Sequence, residues 1–453
     1  MTTATNTLAS RISATMPQAR TDLAALVACQ SVADPRQFPP SECQKAAQLV
    51  IDKFTGVGLR DVQTEPTPDG HPAVFGHIPA PDGAPTVLLY CHYDVQPPLD
   101  PTGTAWKSPP FQLTERDGRW YGRGAADCKG NIVTHLLALR ALQGELPVGI
   151  KLIAEGSEEQ GTGGLEAFVP DHPDLLRADA IIMADGGNFA VGVPTLTTAL
   201  RGVVNVTVTV STLENAMHSG MFGGPAPDAL MALTRMLATL RDARGNTTIL
   251  GLDSESRWPG IEYPAEQFRA DAHVLPGVDL LGSGKVADML WSRPAANVLG
   301  LDCPPVVGSD PTIPASVRAR VSLRVPPGMD AQHAQDALVA HLHAVTPWHA
   351  KVQIERETPG QPFSASTDGP AYAAMSHALQ EAYGRPVTSE GQGGSIPLCN
   401  VLHETFPNAE IMLTGVEEPR CLIHAPNESV DPSEIEHMAL AEALFLAGYA
   451  ARH

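Results

Sequence analysis

Three short apolar runs, at 86–91, 148–154 and 180–184, constrain this chain more than any other feature, because each breaks off into charged or polar residues. Runs of this length and uniformity read as strands buried on both faces. Helical patterns surround them, at about 8–30, 43–54, 130–142 and 164–168. Strands alternating with helices imply βαβ units and a largely parallel sheet. In such sheets, sites form beyond the carboxyl ends of the strands. His92 and Asp94 follow the first run, Glu158 and Glu159 the second, and Asp185 the third. Five such residues at one sheet edge are a poor fit to chance.

The texture changes after Asp185. The stretch 203–211, Val-Val-Asn-Val-Thr-Val-Thr-Val-Ser, alternates for most of its length, so this strand keeps one wet face. A helix at 228–240, a Gly/Pro-rich stretch to 311, a strand at 315–325, a helix at 330–344 and a strand at 351–356 follow. They read as an α+β domain inserted over 197–358 into an α/β domain formed by 1–196 and 359–453. A chain of 453 residues is also too long for one hydrophobic core. In the last segment a helix at 371–383, a strand at 409–413 and a helix at 432–449 resume the α/β pattern. The final helix starts at Asp431, an N-cap, with Pro432 in its first turn.

With 43% hydrophobic and 18% charged residues, the composition is that of a globular protein. A formal charge of −20 argues against nucleic acid and anionic membrane as partners. No apolar run approaches the roughly 20 residues of a membrane span. Residues 2–20 lack the apolar core of a signal peptide, and the seven cysteines are scattered without a CxxC pair. A reduced, cytoplasmic setting is the expectation.

The chemistry lies in a set of motifs that are weak singly. His92-x-Asp94 places a carboxylate behind a histidine, which fixes its tautomer in metal sites, but a buried hydrogen-bonded histidine has the same appearance. Asp127, after a Gly/Ala-rich turn, also reads as a helix N-cap, and Asp185 as a turn residue. His424 alone carries no signal. Together, two histidines (His92, His424) and three carboxylates (Asp127, Glu159, Asp185) are too many ligands for one open catalytic zinc. They suffice for two metals about 3.5–4 Å apart if one carboxylate bridges. Nitrogen and oxygen donors without thiolate suit zinc, manganese or cobalt. Glu158 is then spare to act as a general base.

The set resembles the M20 family of co-catalytic metallopeptidases, and within it the dipeptidase branch that includes the cytosolic non-specific dipeptidases and carnosinases. The resemblance rests on His92-Tyr-Asp-Val-Gln-Pro97, Gly122-Arg-Gly-Ala-Ala-Asp-Cys-Lys-Gly130, Glu155-Gly-Ser-Glu-Glu159, Met183-Ala-Asp185, His218-Ser-Gly220 with Phe222-Gly-Gly224, Gly393-Gly-Ser-Ile-Pro397 and His424-Ala-Pro-Asn-Glu428, in family order over nearly the whole chain. It implies a zinc-peptidase-like catalytic domain with a mostly parallel sheet and an inserted α+β lid and dimerisation domain. Two divalent ions are implied, zinc first, with manganese or cobalt as alternatives. Asp127 would bridge them, His92 and Asp185 would hold one, and Glu159 and His424 the other. Asp94 would orient His92, Glu158 would deprotonate the bridging water, and His218 would polarise the scissile carbonyl in a partner subunit, making the enzyme a homodimer. Arg324 would grip the substrate carboxylate, with Ser395, Gly394, Thr312 and Asn297 completing the pocket.

Two positions depart from the family pattern. Ala425 replaces a serine, and Cys128 stands where Asp or Asn is usual, at a peptide bond typically cis in relatives. The implied activity is hydrolysis of dipeptides; the alternative is an N-acyl-amino-acid amidohydrolase on the same metals. From other classes, a thiol hydrolase built on Cys91 or Cys128 and a catalytically dead metal-binding relative are the competing readings.

Overall fold

The computed structural model describes residues 3–451, which fall into two compact units. The first comprises residues up to 198, 365–390 and from 398 on; the second comprises 199–364 and 391–397. The short Gly391–Pro397 loop therefore groups with the second unit although both of its sequence neighbours belong to the first.

At the centre of the first unit, four parallel strands lie in the order Gly149–Glu155, Thr86–His92, Ala180–Ala184 and Glu410–Thr414. Their faces are dry, which is why they read as continuous apolar runs. Antiparallel strands Ala73–Ile78 and Arg60–Glu65 extend one edge, and Thr195–Leu200 meets the other where Thr197 pairs with Leu413. The register is what builds the site: His92 pairs with Glu155 and Tyr90 with Met183. All three runs thus end at one level, and the residues that follow them emerge side by side.

Helices Thr3–Val27, Lys129–Leu142, Pro370–Tyr383 and Pro432–Gly448 pack against one another in this unit. In Lys129–Leu142 every residue except Arg140 is buried. Truncating one of its leucines (Leu136, Leu137 or Leu139) would cost about 2–5 kcal/mol. The final helix begins as expected, with the Asp431 carboxylate accepting from the Ser433 N–H at 3.0 Å.

The second unit is an antiparallel sheet in the order Ala295–Asp302, Ser316–Val325, Gly202–Ser211 and Lys351–Arg356. Helices Ala229–Ala238 and Ala331–Ala344 cover one face, on Val204, Val206, Val208 and Val210 and on Val317, Ala319, Val321 and Leu323. Both helices have aspartate caps: Asp228 accepts from Leu230 N–H at 2.8 Å and Asp330 from His333 N–H at 2.7 Å. The opposite face carries Val203, Asn205, Ser322 and Arg324, which alternate with the buried set. A two-residue ribbon pairs Met217–His218 with Thr312–Ile313.

Strand Ala295–Asp302 lies inside the Gly/Pro-rich stretch and carries no strand signal in sequence. It is exposed from Asn297 onward on both faces, so no alternation marks it, and Gly300 follows a break in register. Only the neighbouring Ser316–Val325 makes it a strand.

Candidate metal centre

His92 and Asp94 leave the end of strand Thr86–His92 fully buried. His92 Nδ1 faces the Asp94 carboxylate at 3.3 Å, and its Nε2 lies 2.9 Å from Asp127 Oδ1 and 3.2 Å from Asp185 Oδ1. The second Asp127 oxygen, Oδ2, lies 2.9 Å from His424 Nε2, which is 3.1 Å from Glu159 Oε2. Asp127 thus addresses one imidazole with each oxygen. Two clusters result, each a histidine and a carboxylate around this shared aspartate.

The supports of this arrangement are visible too. Asp94 accepts the backbone N–H of Glu158 at 3.2 Å and of Glu159 at 3.1 Å, so one carboxylate orients both His92 and the acidic turn. Glu159 also accepts from Gln96 Nε2 at 3.0 Å, whereas the Glu158 side chain has no hydrogen-bond partner among the described residues. His424 sits at φ +63°, a left-handed conformation that costs a residue with a β-carbon roughly 1–2 kcal/mol. Asp127 is no helix cap: Cys128 occupies the N-cap position of Lys129–Leu142, and the Asp127–Cys128 peptide is cis.

Three further residues belong to the centre. Glu428, wholly buried, accepts the N–H groups of Gly124, Ala126 and Asp127 at 3.0, 3.1 and 3.2 Å and pairs with Arg123 at 2.6 Å. It folds the turn that presents Asp127. Glu417 brings a third carboxylate to Asp127 and Asp185, with ligand oxygens all within 4.8 Å of one another. It is held there by the backbone: the Asn188 N–H donates to the Glu417 carbonyl at 2.7 Å, and a β-carbon at Gly187 would overlap that carbonyl. Glycine at 187 is required by this close approach. The Cys128 sulfur lies with His92 and Asp185, but it donates to the Ala184 carbonyl at 3.0 Å. Nothing local in sequence marks Glu417, whose partners are some 230 or more residues away; Glu428 and Gln96 stand inside motifs whose supporting roles became visible only with their contacts.

Divalent cations fit this donor set. Asp127, Asp185 and Glu417 converge with no lysine or arginine paired to any of them among the described residues, and Glu417 Oε1 is buried without a hydrogen-bond partner. Like charges gathered out of water call for a counter-cation. Without one, the acids retain protons. Burial, then Asp127, pushes Glu159 up to about 7 against the pull of His424. Burial, then Asp185, holds Glu158 well above the usual carboxylate range, and burial followed by Asp127 does the same to Glu417. For Asp127 the hydrogen bonds from His424 and His92 outweigh burial and keep it ionised. Its hydrogen bond, then that of Glu159, pushes His424 up to about 11.

A pH dependence follows for metal-free protein. The folded chain keeps protons on Glu158, Glu159 and Glu417 that the unfolded chain releases above about 4.3, so their contribution is full below that pH; that of Glu159 is lost as pH rises through about 7, and those of Glu158 and Glu417 as pH rises through their own raised values. Chelated protein is expected to melt at progressively lower temperature as pH rises from about 5 to about 7.5. A metal-loaded sample should not follow, because bound metal replaces those protons. Parallel melting curves for the two samples would refute this account.

The same burial removes the thiol reading. Cys91 and Cys128 are fully buried. Burial holds Cys91 well above its usual range and pushes Cys128 up to about 12, so neither is a thiolate at neutral pH.

The remaining candidates lie in the second unit. His218 and Thr312 are direct cross-strand partners. His218 Nδ1 accepts the Gly220 N–H at 3.1 Å, which leaves Nε2 as the donor in the neutral ring. Asn297 is engaged by Arg241, whose Nη2 donates to its Oδ1 at 3.3 Å. Arg324 is half-buried opposite Val203, and Ser395 and Gly394 lie in the Gly391–Pro397 loop. A β-carbon at Gly394 would meet nothing within 4 Å, so no contact there demands glycine.

Paired histidine–carboxylate clusters of nitrogen and oxygen donors at the carboxyl ends of the parallel strands are suited to hold divalent metal ions. Residues 88–447 match the model of peptidase family M20/M25/M40. The chain is 46% identical over 412 residues to the cysteinylglycine-S-conjugate dipeptidase of Corynebacterium striatum, covering 90% of each protein. It is 28% identical over 431 residues to the β-Ala-His dipeptidase of Rattus norvegicus, covering 88% of this chain and 86% of that one. The crystal structure of human carnosine dipeptidase 1 shares the fold, with a TM-score of 0.80 and 24% identity over 98% of this chain and 99% of that one. The chain belongs to peptidase family M20 and is a metallopeptidase.

Proposed function

We propose that the chain hydrolyses the peptide bond of dipeptides with two divalent metal ions, zinc first among them. The observation that carries this reading is Asp127, which sends one oxygen to each of two imidazoles beside a glutamate, Glu158, left free of partners. Asp127 would bridge the ions, with His92 and Asp185 on one and Glu159 and His424 on the other. When bound, such ions polarise the scissile carbonyl and acidify water. Asp94 keeps His92 and the acidic turn in one orientation. Glu158 accepts the water proton on its free carboxylate and returns it to the leaving amine. His218, with hydrogen on Nε2, donates to the developing oxyanion from the partner copy of a homodimer, which gives the second unit its lid and dimerisation role. Arg324 takes the substrate carboxylate. We place the enzyme in the cytoplasm; among the described residues no helix is long and apolar enough to cross a membrane.

Initial rates on free dipeptides and on N-acyl amino acids, with chelated protein and after zinc or manganese is restored, test the proposal. Metal-dependent cleavage of dipeptides is the expected result. Cleavage of acyl amino acids alone would keep the centre and overturn the substrate, and undiminished activity in chelator would overturn the metal mechanism.

A further inference from the structure

Immediately before strand Gly202–Ser211 stands an arginine that the roles above do not use. Arg201 is nine-tenths buried, and its Nε has no hydrogen-bond partner. Neither Arg201 nor the half-buried Arg324 is paired with a carboxylate among the described residues. The register brings the two together. Val203 and Arg324 pair on one face of the sheet and Gly202 pairs with Val325, where the ladder ends, so Arg201 stands one residue beyond it, near enough to feel the charge of Arg324. That face is the one free of the covering helices.

The Gly391–Pro397 loop closes over this corner. The Arg201 N–H donates to the Gln392 carbonyl at 3.2 Å, and a β-carbon at Gly393 would lie 2.7 Å from Arg201 Nη2. Gly360 exchanges hydrogen bonds of 2.9 and 2.8 Å with Val203, and a β-carbon on it would lie 3.4 Å from Ser395 Oγ. The glycine loop with Ser395 thus lies against Arg201 and against Gly360, the neighbour of Val203, whose cross-strand partner is Arg324. Two adjacent cations without acceptors are costly in a folded protein unless an anion completes them. Burial, then Arg324, already pushes Arg201 down to about 10.

We infer that Arg201 is a second carboxylate-binding cation beside Arg324, so that the substrate must end in a free carboxylate held between two guanidiniums. This deepens the dipeptidase reading and rests on it for the identity of the anion. The two arginines present more donors than one carboxylate can use from a single fork, which gives strong discrimination against an amide-capped end.

The test uses metal-loaded protein, Arg201→Met and Arg201→Lys, with N-acetylglycine and its amide as thermal-shift ligands and a dipeptide and its C-terminal amide as substrates. The acid, and not the amide, is expected to raise the melting temperature of the parent, and Arg201→Met should abolish that rise. For the free dipeptide the same variant should raise KM by roughly 10–100-fold with a smaller change in kcat, and the preference for acid over amide should collapse. Without ligand, Arg201→Met should melt no lower than the parent, because it removes an unmatched buried cation. Arg201→Lys should restore part of the acid preference. An unchanged acid preference in Arg201→Met, no response of the parent to the acid, or a large melting-temperature loss without ligand in both variants would each overturn the inference. A parent that responds to the acid but cleaves no dipeptide would count against the proposed activity alone.

Discussion

Replacing Glu158 with alanine is expected to lower turnover by roughly 10²–10⁴-fold while leaving metal content and melting temperature near those of the parent. Two neighbouring glutamates have been given different environments here. Glu159 is anchored by Gln96 and His424 at 3.0 and 3.1 Å, whereas the Glu158 carboxylate makes no hydrogen bond among the described residues. Its backbone is nonetheless fixed, because its N–H is held by Asp94. A carboxylate on a rigid turn with no partner is available to a substrate water, and adjacent acids whose surroundings separate their roles are how one site performs both binding and proton transfer. Truncation removes no anchoring contact, so the fold should survive. Atomic absorption, a melting curve and kcat on the same sample decide it. Near-normal turnover would remove Glu158 from the mechanism, and loss of metal would make it a ligand.

A larger structural effect is expected at Glu428. This carboxylate accepts three backbone N–H groups of the Gly122–Asp127 turn and the Arg123 guanidinium, all out of water. Glu428→Ala leaves the buried Arg123 without its carboxylate partner, with only the Pro97 and Ala425 carbonyls remaining, which costs about 3–5 kcal/mol. In a unit of this size the melting temperature should drop by on the order of 10 °C. Because the same bonds present Asp127, metal retained after dialysis should fall in step. Glu428→Gln, which keeps one acceptor oxygen but not the charge, should fall between the two. A variant that melts within about 2 °C of the parent would mean that the turn is held by other contacts.

The strand-end placement of His92, Glu158, Glu159 and Asp185 was legible because dry parallel strands must be apolar throughout, and the interruption of such a run is local in sequence. The helix cap read at Asp431 is local for the same reason, as are those the structure adds at Asp228 and Asp330: a cap is satisfied by the next two or three N–H groups. Asp127 shows the limit. Its isolated pattern is that of a cap, yet its two oxygens face imidazoles 35 residues before it and 297 after it.

The amino-acid order by itself determined that the runs at 86–91, 148–154 and 180–184 are buried strands, where they stop and which polar residues stand at those stops, because burial of such a run and the turn after it are settled by neighbours in the chain. Tertiary structure alone decided that Glu428 braces Asp127, that Glu417 closes on Asp185 across Gly187, that an unpatterned stretch becomes strand Ala295–Asp302, and that Arg201 stands beside Arg324. Each of these depends on sheet register or on a carboxylate meeting backbone far away in sequence, and no local propensity encodes a partner at that distance.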